Sequence, residues 1–276
     1  MNKKNSKHPL AYVVLVIFSI FTLIPFFLVI ITSLKNMNDI IVNGPLSMPR
    51  IIRWENYIKI WKIGNMVPYL KNSIIVTIIC ILCILLLSLL ASYAFAYLKF
   101  KGKGFFLTLI LLGLMIPTEL IIIPLFYNMK ALGLLNSLWS IILPQIGMII
   151  PFAIVVLRGF MRDLPVALLE SARMDGSTEF KNLIYIIIPI VRPAMVSVIV
   201  FASIWTWNEF MLPTILIQDD AKRTLPVGLN YFRGKYSMDF SMTATAANIS
   251  ALPTILVFLV FQRKFFAGIT AGALKG

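Results

Sequence analysis

The stretch "DLPVALLESARMDGSTEFKNLIYIIIPIVRP", Asp163 to Pro193, lies between two apolar runs, is too polar to span a bilayer and is too patterned to be a slack linker. It reads as helix, turn, helix. Asp163 is expected to cap the first helix, and Pro165 suits its first turn, where a missing N–H costs nothing. Val166, Leu169 and Arg173 then fall on one face, with Leu168, Glu170 and Ala172 around it. Asp175-Gly176 stops the helix, because Gly176 takes the left-handed conformation that a residue with a side chain resists. Ser177 is expected to cap the next helix, with Glu179 meeting the positive end of its dipole. A short amphipathic helix of this kind has two uses. It docks into a cleft on another protein, or it rests on the bilayer surface.

Outward from that loop the chain is a succession of apolar runs. About 20 apolar residues cross roughly 30 Å of hydrocarbon, and six stretches qualify: 10–34, 72–97, 105–127, 137–161, 192–217 and 242–261. The runs are continuously apolar and do not alternate with period two, which excludes a closed barrel. The fold class is therefore an all-α integral membrane protein with six transmembrane helices. Of the 276 residues 59% are hydrophobic and 13% charged, with a mean hydropathy of +0.91. The net charge of +14 suits nucleic acid or an anionic bilayer, and hydropathy decides for membrane lipid and against nucleic acid. The longest segment between spans, Lys35 to Lys71, is too short to fold alone, so a function that needs a soluble domain requires a partner.

Three lysines in "KFKGKG" (99–104) against one in "NMKALGLLN" (128–136) put the former loop, and with it both termini, in the cytoplasm. That gives a cytoplasmic N-terminus over 1–9, a transmembrane domain over 10–261 and a C-terminal tail over 262–276. The amphipathic tract "IIRWENYIKIW" (51–61) then lies along the outer interface, with Trp54, Tyr57 and Trp61 at headgroup level.

Catalysis by this chain is not expected. There is no G-x-x-x-x-G-K-[ST] phosphate loop, and the single histidine, His8, permits neither an HExxH metal site nor an acyl-transfer triad. No cofactor and no metal are expected. Cys80 and Cys83 in "IICILCILLL" are small apolar side chains on one helical face.

The spacing of Glu170, Ala172, Asp175, Gly176, Ile186 and Pro189 resembles the EAA loop of permease subunits of ATP-binding-cassette importers of type I. Ser171 stands where that motif usually has Ala, and Ile188 where it usually has Leu. "IPTELIIIPLF" (116–126), "NSLWSIILPQ" (136–145), "WNEF" (207–210) and "FQRKFFAGITAGALKG" (261–276) look like the carbohydrate branch, the maltose-permease G-type subunits. The resemblance implies that residues 163–190 form a coupling helix seated in an ATPase groove through Leu169, Glu170, Ser171, Ala172, Asp175 and Gly176. It implies further contacts from the tail through Gln262, Arg263, Gly272 and Lys275, on a flexible backbone with Gly268 and Gly276. The implied partners are a homologous permease forming a heterodimer, a dimer of ATPase subunits, an extracytoplasmic sugar-binding protein and the sugar itself. The polar segment Gln218 to Ser241, with Gly228 and Gly234 as bends, would touch the binding protein; by itself it reads as a solvated connector.

Polar residues at membrane depth are functional candidates. Glu119, between Pro117 and Pro124, and Asn208 fall at one level in the outer half, about 21 and 24 Å along straight helices from their inner ends. With Trp205, Trp207 and Glu209 they offer aromatic faces and hydrogen-bonding groups suited to a sugar, and Asn248 in the sixth run is a further pathway candidate. The alternative is that the tryptophans belong to an interfacial belt and the acids hydrogen-bond between helices. Two other functions stay open: an importer of a polyol, peptide or amino acid, and a stand-alone ion-coupled carrier in which Glu119 and Glu209 bind the ion.

Overall fold

The computed structural model describes residues 9–232 and 239–273, and helices are its only regular elements among them. In chain order they are α1 (Pro9–Ser33), α2 (Met37–Asn43), α3 (Asn56–Ile63), α4 (Met66–Tyr97), α5 (Lys103–Leu112), α6 (Thr118–Ala131), α7 (Trp139–Arg162), α8 (Ala167–Met174), α9 (Glu179–Lys181), α10 (Ile188–Trp207), α11 (Met211–Leu216), α12 (Leu225–Gly228) and α13 (Phe240–Ala273). Among the described residues five helical stretches are long and apolar enough to cross a membrane: α1, α4, α7, the run Glu179–Trp207, and the first part of α13. The pair α5 and α6 makes a sixth when taken as one broken span.

Two of the six expected runs have different shapes. The run 105–127 is not one straight helix. It closes α5 with a 3-10 turn at Gly113–Met115 and bends by 103° into α6. Pro117 is the cause: its ring bars Ile116 from the helical region, and Ile116 sits at φ −89°, ψ 111°. The run 192–217 is displaced. Its helix starts at Glu179, passes through a π-helical turn at Asn182–Ile187 and stops at Trp207, and residues 211–216 form the separate α11. The polar pair Asn208-Glu209 divides them, with Asn208 as the C-cap of α10.

The chain divides into two compact units. One holds Met1–Met66 and Gly228–Ala251. In it α1 is apolar all round and exposed along nearly its whole length, as a lipid-facing span is. Its C-terminal end is held by a polar knot. Asn56 Nδ2 donates to the carbonyl oxygens of Ser33 (2.8 Å) and Lys35 (2.9 Å), and lies 3.0 Å from Ser241 Oγ. Ser241 Oγ donates to Lys35 O at 2.7 Å. Lys35 is fully buried, and its Nζ donates to Gly44 O, Pro45 O and Ser47 Oγ at 2.9–3.2 Å. A buried ammonium without acceptors would be prohibitive, so the loop after α2 wraps it in oxygens.

The other unit holds Val67–Val227 and Leu252–Gly276. Its core is the contact of α4, α7 and α10, where Cys80, Ile84, Ile141, Ala153, Leu157, Ile187, Ala194 and Val198 are fully buried. Hydrogen bonds stitch α4 to α7 along their length. Cys80 Sγ reaches Ile142 O (3.8 Å), Ser92 Oγ reaches Ile154 O (3.3 Å), Tyr97 OH donates to Met161 O, and Arg158 Nε donates to Phe95 O (3.2 Å). Cys80 and Cys83 are free thiols, Cys80 in this core.

Replacing Asn56 by Leu removes the donor shared by Ser33 O and Lys35 O while keeping the volume. Unmade bonds to buried carbonyls cost about 1–3 kcal/mol, so Asn56→Leu is expected to lower the Tm of the detergent-solubilised chain by several degrees. An unchanged Tm would contradict the role of the knot.

Candidate functional site

The loop after α7 folds from local rules. Asp163 ends α7 as its C-cap; it does not cap the next helix, whose N-cap is Val166 without a side-chain hydrogen bond. Gly176 adopts φ +78°. Its N–H bonds to Arg173 O (3.0 Å), and the N–H of Ser177 to Ala172 O (2.9 Å), the two bonds of a Schellman closure that satisfies the last carbonyls of α8. Thr178, not Ser177, caps the following helix, accepting from the N–H of Lys181 at 3.4 Å.

The side chains of α8 divide sharply. Leu169 is 1% exposed and joins the core beside Met161, Leu183 and Ile187. Glu170, Ser171, Met174, Asp175 and Gly176 are exposed, and Ala172 is half-buried. Leu169 is thus the buried anchor of α8, Ala172 is partly covered, and Glu170, Ser171, Asp175 and Gly176 face outward. The Glu179 carboxylate, hydrogen-bonded to Arg173, raises the guanidinium pKa above its usual range.

The break between α5 and α6 opens a cavity of about 440 Å³, within the roughly 300–1,000 Å³ of small-molecule sites. Its wall includes Pro117, Thr118, Glu119, Met148, Phe152, Phe201 and Trp205. Glu119 lies in the first turn of α6. The rings of Phe152 and Phe201 stack at 3.9 Å between centroids and 28° between planes, and Trp205 stacks on Phe201 at 5.6 Å and 30°. The site is a shallow aromatic ladder with one acid at its rim. Such a ladder presents flat faces to C–H groups, and the acid accepts from hydroxyls or faces a cation.

Glu119 and Trp205 are therefore brought together. Trp207 and Asn208 turn elsewhere: Trp207 is buried and lines a nearly wholly apolar cavity of about 220 Å³ with Ile74, Ile78, Pro253 and Thr254. Asn208 Nδ2 donates to Ile204 O (2.8 Å) and Thr254 Oγ1 (3.2 Å). Glu209 Oε1 accepts from the N–H groups of Met211 (2.9 Å) and Leu212 (3.0 Å), capping α11. Asn248 belongs to the other unit and donates to Ser33 Oγ and Tyr57 OH, each at 3.0 Å. Phe152 and Phe201 were not singled out from the sequence. Within apolar runs nothing local marks them, and only their convergence across α7 and α10 does.

The segment after α11 is wired in place over its described part. Asn136 Oδ1 accepts from the N–H groups of Gln218 (3.1 Å) and Asp219 (2.8 Å), and Asn72 Nδ2 donates to Ala221 O and Arg223 O, both at 2.9 Å. Gly234 lies outside the described residues. At the C-terminus α13 continues as helix to Ala273, through Gln262, Arg263 and Gly272, where a flexible tail is expected; Gln262 Nε2 donates to Leu259 O at 3.0 Å. Lys275 and Gly276 lie outside the described residues.

Residues 85–269, which contain the 163–190 loop, the aromatic ladder and most of α13, match the profile of the binding-protein-dependent transport system inner membrane component. The chain belongs to that family. It is thus a multi-pass membrane component of a transport system, a translocation subunit and not an enzyme. Relatives span almost its whole length. A probable ABC transporter permease, YurM of Bacillus subtilis, is 35% identical over 91% of this chain and 83% of its own length. The diacetylchitobiose uptake permease NgcG of Streptomyces coelicolor is 30% identical over 96% of this chain and 88% of its own. In fold, the chain superposes on a bacterial ABC transporter that imports the acidic polysaccharide alginate, with a TM-score of 0.79, 21% identity and coverage of 96% and 99% of the two chains. The architecture is that of an ABC importer permease.

The two acids of the sequence reading separate on test. Glu209→Ala removes a helix cap worth about 1 kcal/mol and is expected to lower the Tm, whereas Glu209→Gln keeps an accepting oxygen and stays near wild type. Equal Tm values for both variants would remove the capping role.

Proposed function

We propose that this chain is one of two homologous permease subunits of an ATP-driven, binding-protein-dependent importer of sugars or oligosaccharides, with α8 as the coupling helix that docks in an ATPase subunit. The observation that carries the reading is the presentation of α8. A short helix closed by Gly176 and held by the buried Leu169 offers Glu170, Ser171, Asp175 and Met174, 88% exposed, to a partner. An exposed methionine flanked by acids suits a cleft with an apolar floor and a basic rim.

In this reading both termini and α8 face the cytoplasm. Closure of the ATPase dimer on ATP moves the grooves that hold α8; Leu169 passes the movement to α7 and α10, and the central path opens outward. The ATPase must bind the two permease states unequally, or ATP could not shift their populations. Sugar as cargo is supported by the uptake named for NgcG and by the aromatic ladder, which has the faces a saccharide ring needs. Glu119 and Trp205 line the path, with Phe152 and Phe201. Asn208, Trp207 and Glu209 support the helices around it. The segment Gln218 to Ser241 contacts the sugar-binding protein, and the C-terminal residues Gln262, Arg263, Gly272 and Lys275 reach the ATPase.

Two outcomes are expected. Glu170→Ala, or Gly176→Val, which forces a β-branched residue to φ +78°, weakens co-purification with the ATPase and lowers uptake in cells about tenfold or more; normal coupled uptake in both variants would end the docking assignment. Trp205→Ala, losing one stacking face worth about 1 kcal/mol, raises the half-saturating solute concentration about fivefold in proteoliposomes, whereas Cys80→Ala leaves that value unchanged.

A further inference from the structure

Where α5 and α7 meet, at the end that leads into α8, a second groove of about 530 Å³ opens. Leu107 and Leu111 line it from α5, Val155, Arg158, Gly159 and Arg162 from α7, and Asp163 from the loop beyond. None of them lines the aromatic-walled cavity or belongs to α8.

Helical spacing builds the groove. Leu107 and Leu111 are four residues apart, as are Arg158 and Arg162, so each pair stacks on one face of its helix. Lys103 stands one turn before Leu107 on the same face of α5, and its Nζ donates to Leu98 O at 2.9 Å. The cations lie within about a turn of the helix ends at Lys103 and Arg162. Leu107 and Leu111 lie about 6 and 12 Å further along α5, at 1.5 Å per residue. The groove therefore has a cationic mouth at the level of the membrane surface and an apolar bed that runs into hydrocarbon.

The charge at the mouth is out of balance. Arg158 Nε donates to Phe95 O (3.2 Å), which fixes the guanidinium, but neither Arg158 nor Arg162 forms an ion pair among the described residues. Asp163 is the one acid on the wall against two guanidiniums. Like charges one turn apart repel, and an anion between them relieves the repulsion. Gly159 lies between the two arginines, and a Cβ there would meet nothing within 4 Å, so the floor of the groove is open space.

We propose that this groove binds one anionic phospholipid, with the phosphate between Arg158 and Arg162 and an acyl chain along Leu107, Leu111 and Val155. Guanidinium forks pair with phosphate oxygens, and basic pockets between spans at the cytoplasmic side of a membrane take anionic headgroups. A soluble anion would use the arginines alone; the apolar bed selects a lipid. The bound lipid ties α5, the first half of the broken span, to the end of α7 that leads into α8. Its supply from the inner leaflet rests on the orientation proposed above, whereas the binding itself does not.

The test is native mass spectrometry of the full chain, alone and in the assembled importer, from micelles holding equal amounts of phosphatidylglycerol and phosphatidylcholine. Wild type is expected to retain phosphatidylglycerol with about fivefold preference, the worth of one basic residue at an anionic surface. Arg162→Gln removes a phosphate ligand, and Gly159→Leu fills the groove without changing its charge. Each is expected to abolish the preference, whereas Arg192→Gln, at an exposed residue outside the groove, keeps it. Gly159→Leu is decisive, because a diffuse positive surface would not respond to it. No preference in wild type, a wild-type preference in Gly159→Leu, or an equal loss in Arg192→Gln overturns the site. Arg162 is exposed, so Arg162→Gln is expected to fold whatever the groove holds, and an unchanged preference there also overturns it. Inorganic phosphate that displaces the phosphatidylglycerol makes this a site for a free anion. A preference lost on assembly of the importer means that an acidic segment of a partner subunit fills the groove. Either result overturns the lipid. A chain with α8 on the outer side would overturn the orientation and leave the binding result standing.

Discussion

Hydrocarbon offers no hydrogen-bond partner, so each polar group that enters it must bring its own, and this single constraint accounts for most of the arrangement. It forces the spans to be helical. It explains why Ser92 and Arg158 find backbone oxygens across the α4–α7 contact, and why Lys35 at the end of α1 is wrapped by oxygens of the loop after α2 while its carbonyl accepts from Asn56 and Ser241. Polar side chains that seem to invite a functional role are often absorbed in this way. Asn208, Glu209 and Asn248 each have bonds that account for their position.

The same constraint identifies the exceptions. At the α5–α6 bend the chain gives up helical hydrogen bonds around Ile116 and Pro117, and there a cavity with a stacked aromatic wall opens. At Asn182 the helix passes into a π-helical turn, one turn from the Glu179 carboxylate that joins α8 to α4. Broken helical ladders cost free energy, and these two lie beside the aromatic-walled cavity and beside α8.

The loop after α7 shows how tertiary packing reassigns local signals. Asp163 and Ser177 are good capping residues, yet Asp163 closes α7 and Thr178 caps the next helix, because the length of α7 is set by its packing on α4 down to the Tyr97–Met161 bond. The stop at Gly176 is where the sequence puts it, since only a residue without a side chain sits easily at φ +78°. The periodicity groups Leu169 with Val166 and Arg173, but packing buries Leu169 and leaves those two exposed.

By itself the sequence determined the membrane class, the helical content, the approximate spans and, through the spacing of Glu170, Ala172, Asp175, Gly176 and Pro189, the transporter family, because these depend on local composition and on residues a few turns apart. The start of the fifth span at Glu179, the meeting of Glu119 with Trp205 and the Phe152–Phe201–Trp205 stack were decided by tertiary structure alone. Each of these depends on which faces of α5, α7 and α10 meet, and because α5 and α10 are apolar all round no pattern in the sequence marks one of their faces from another.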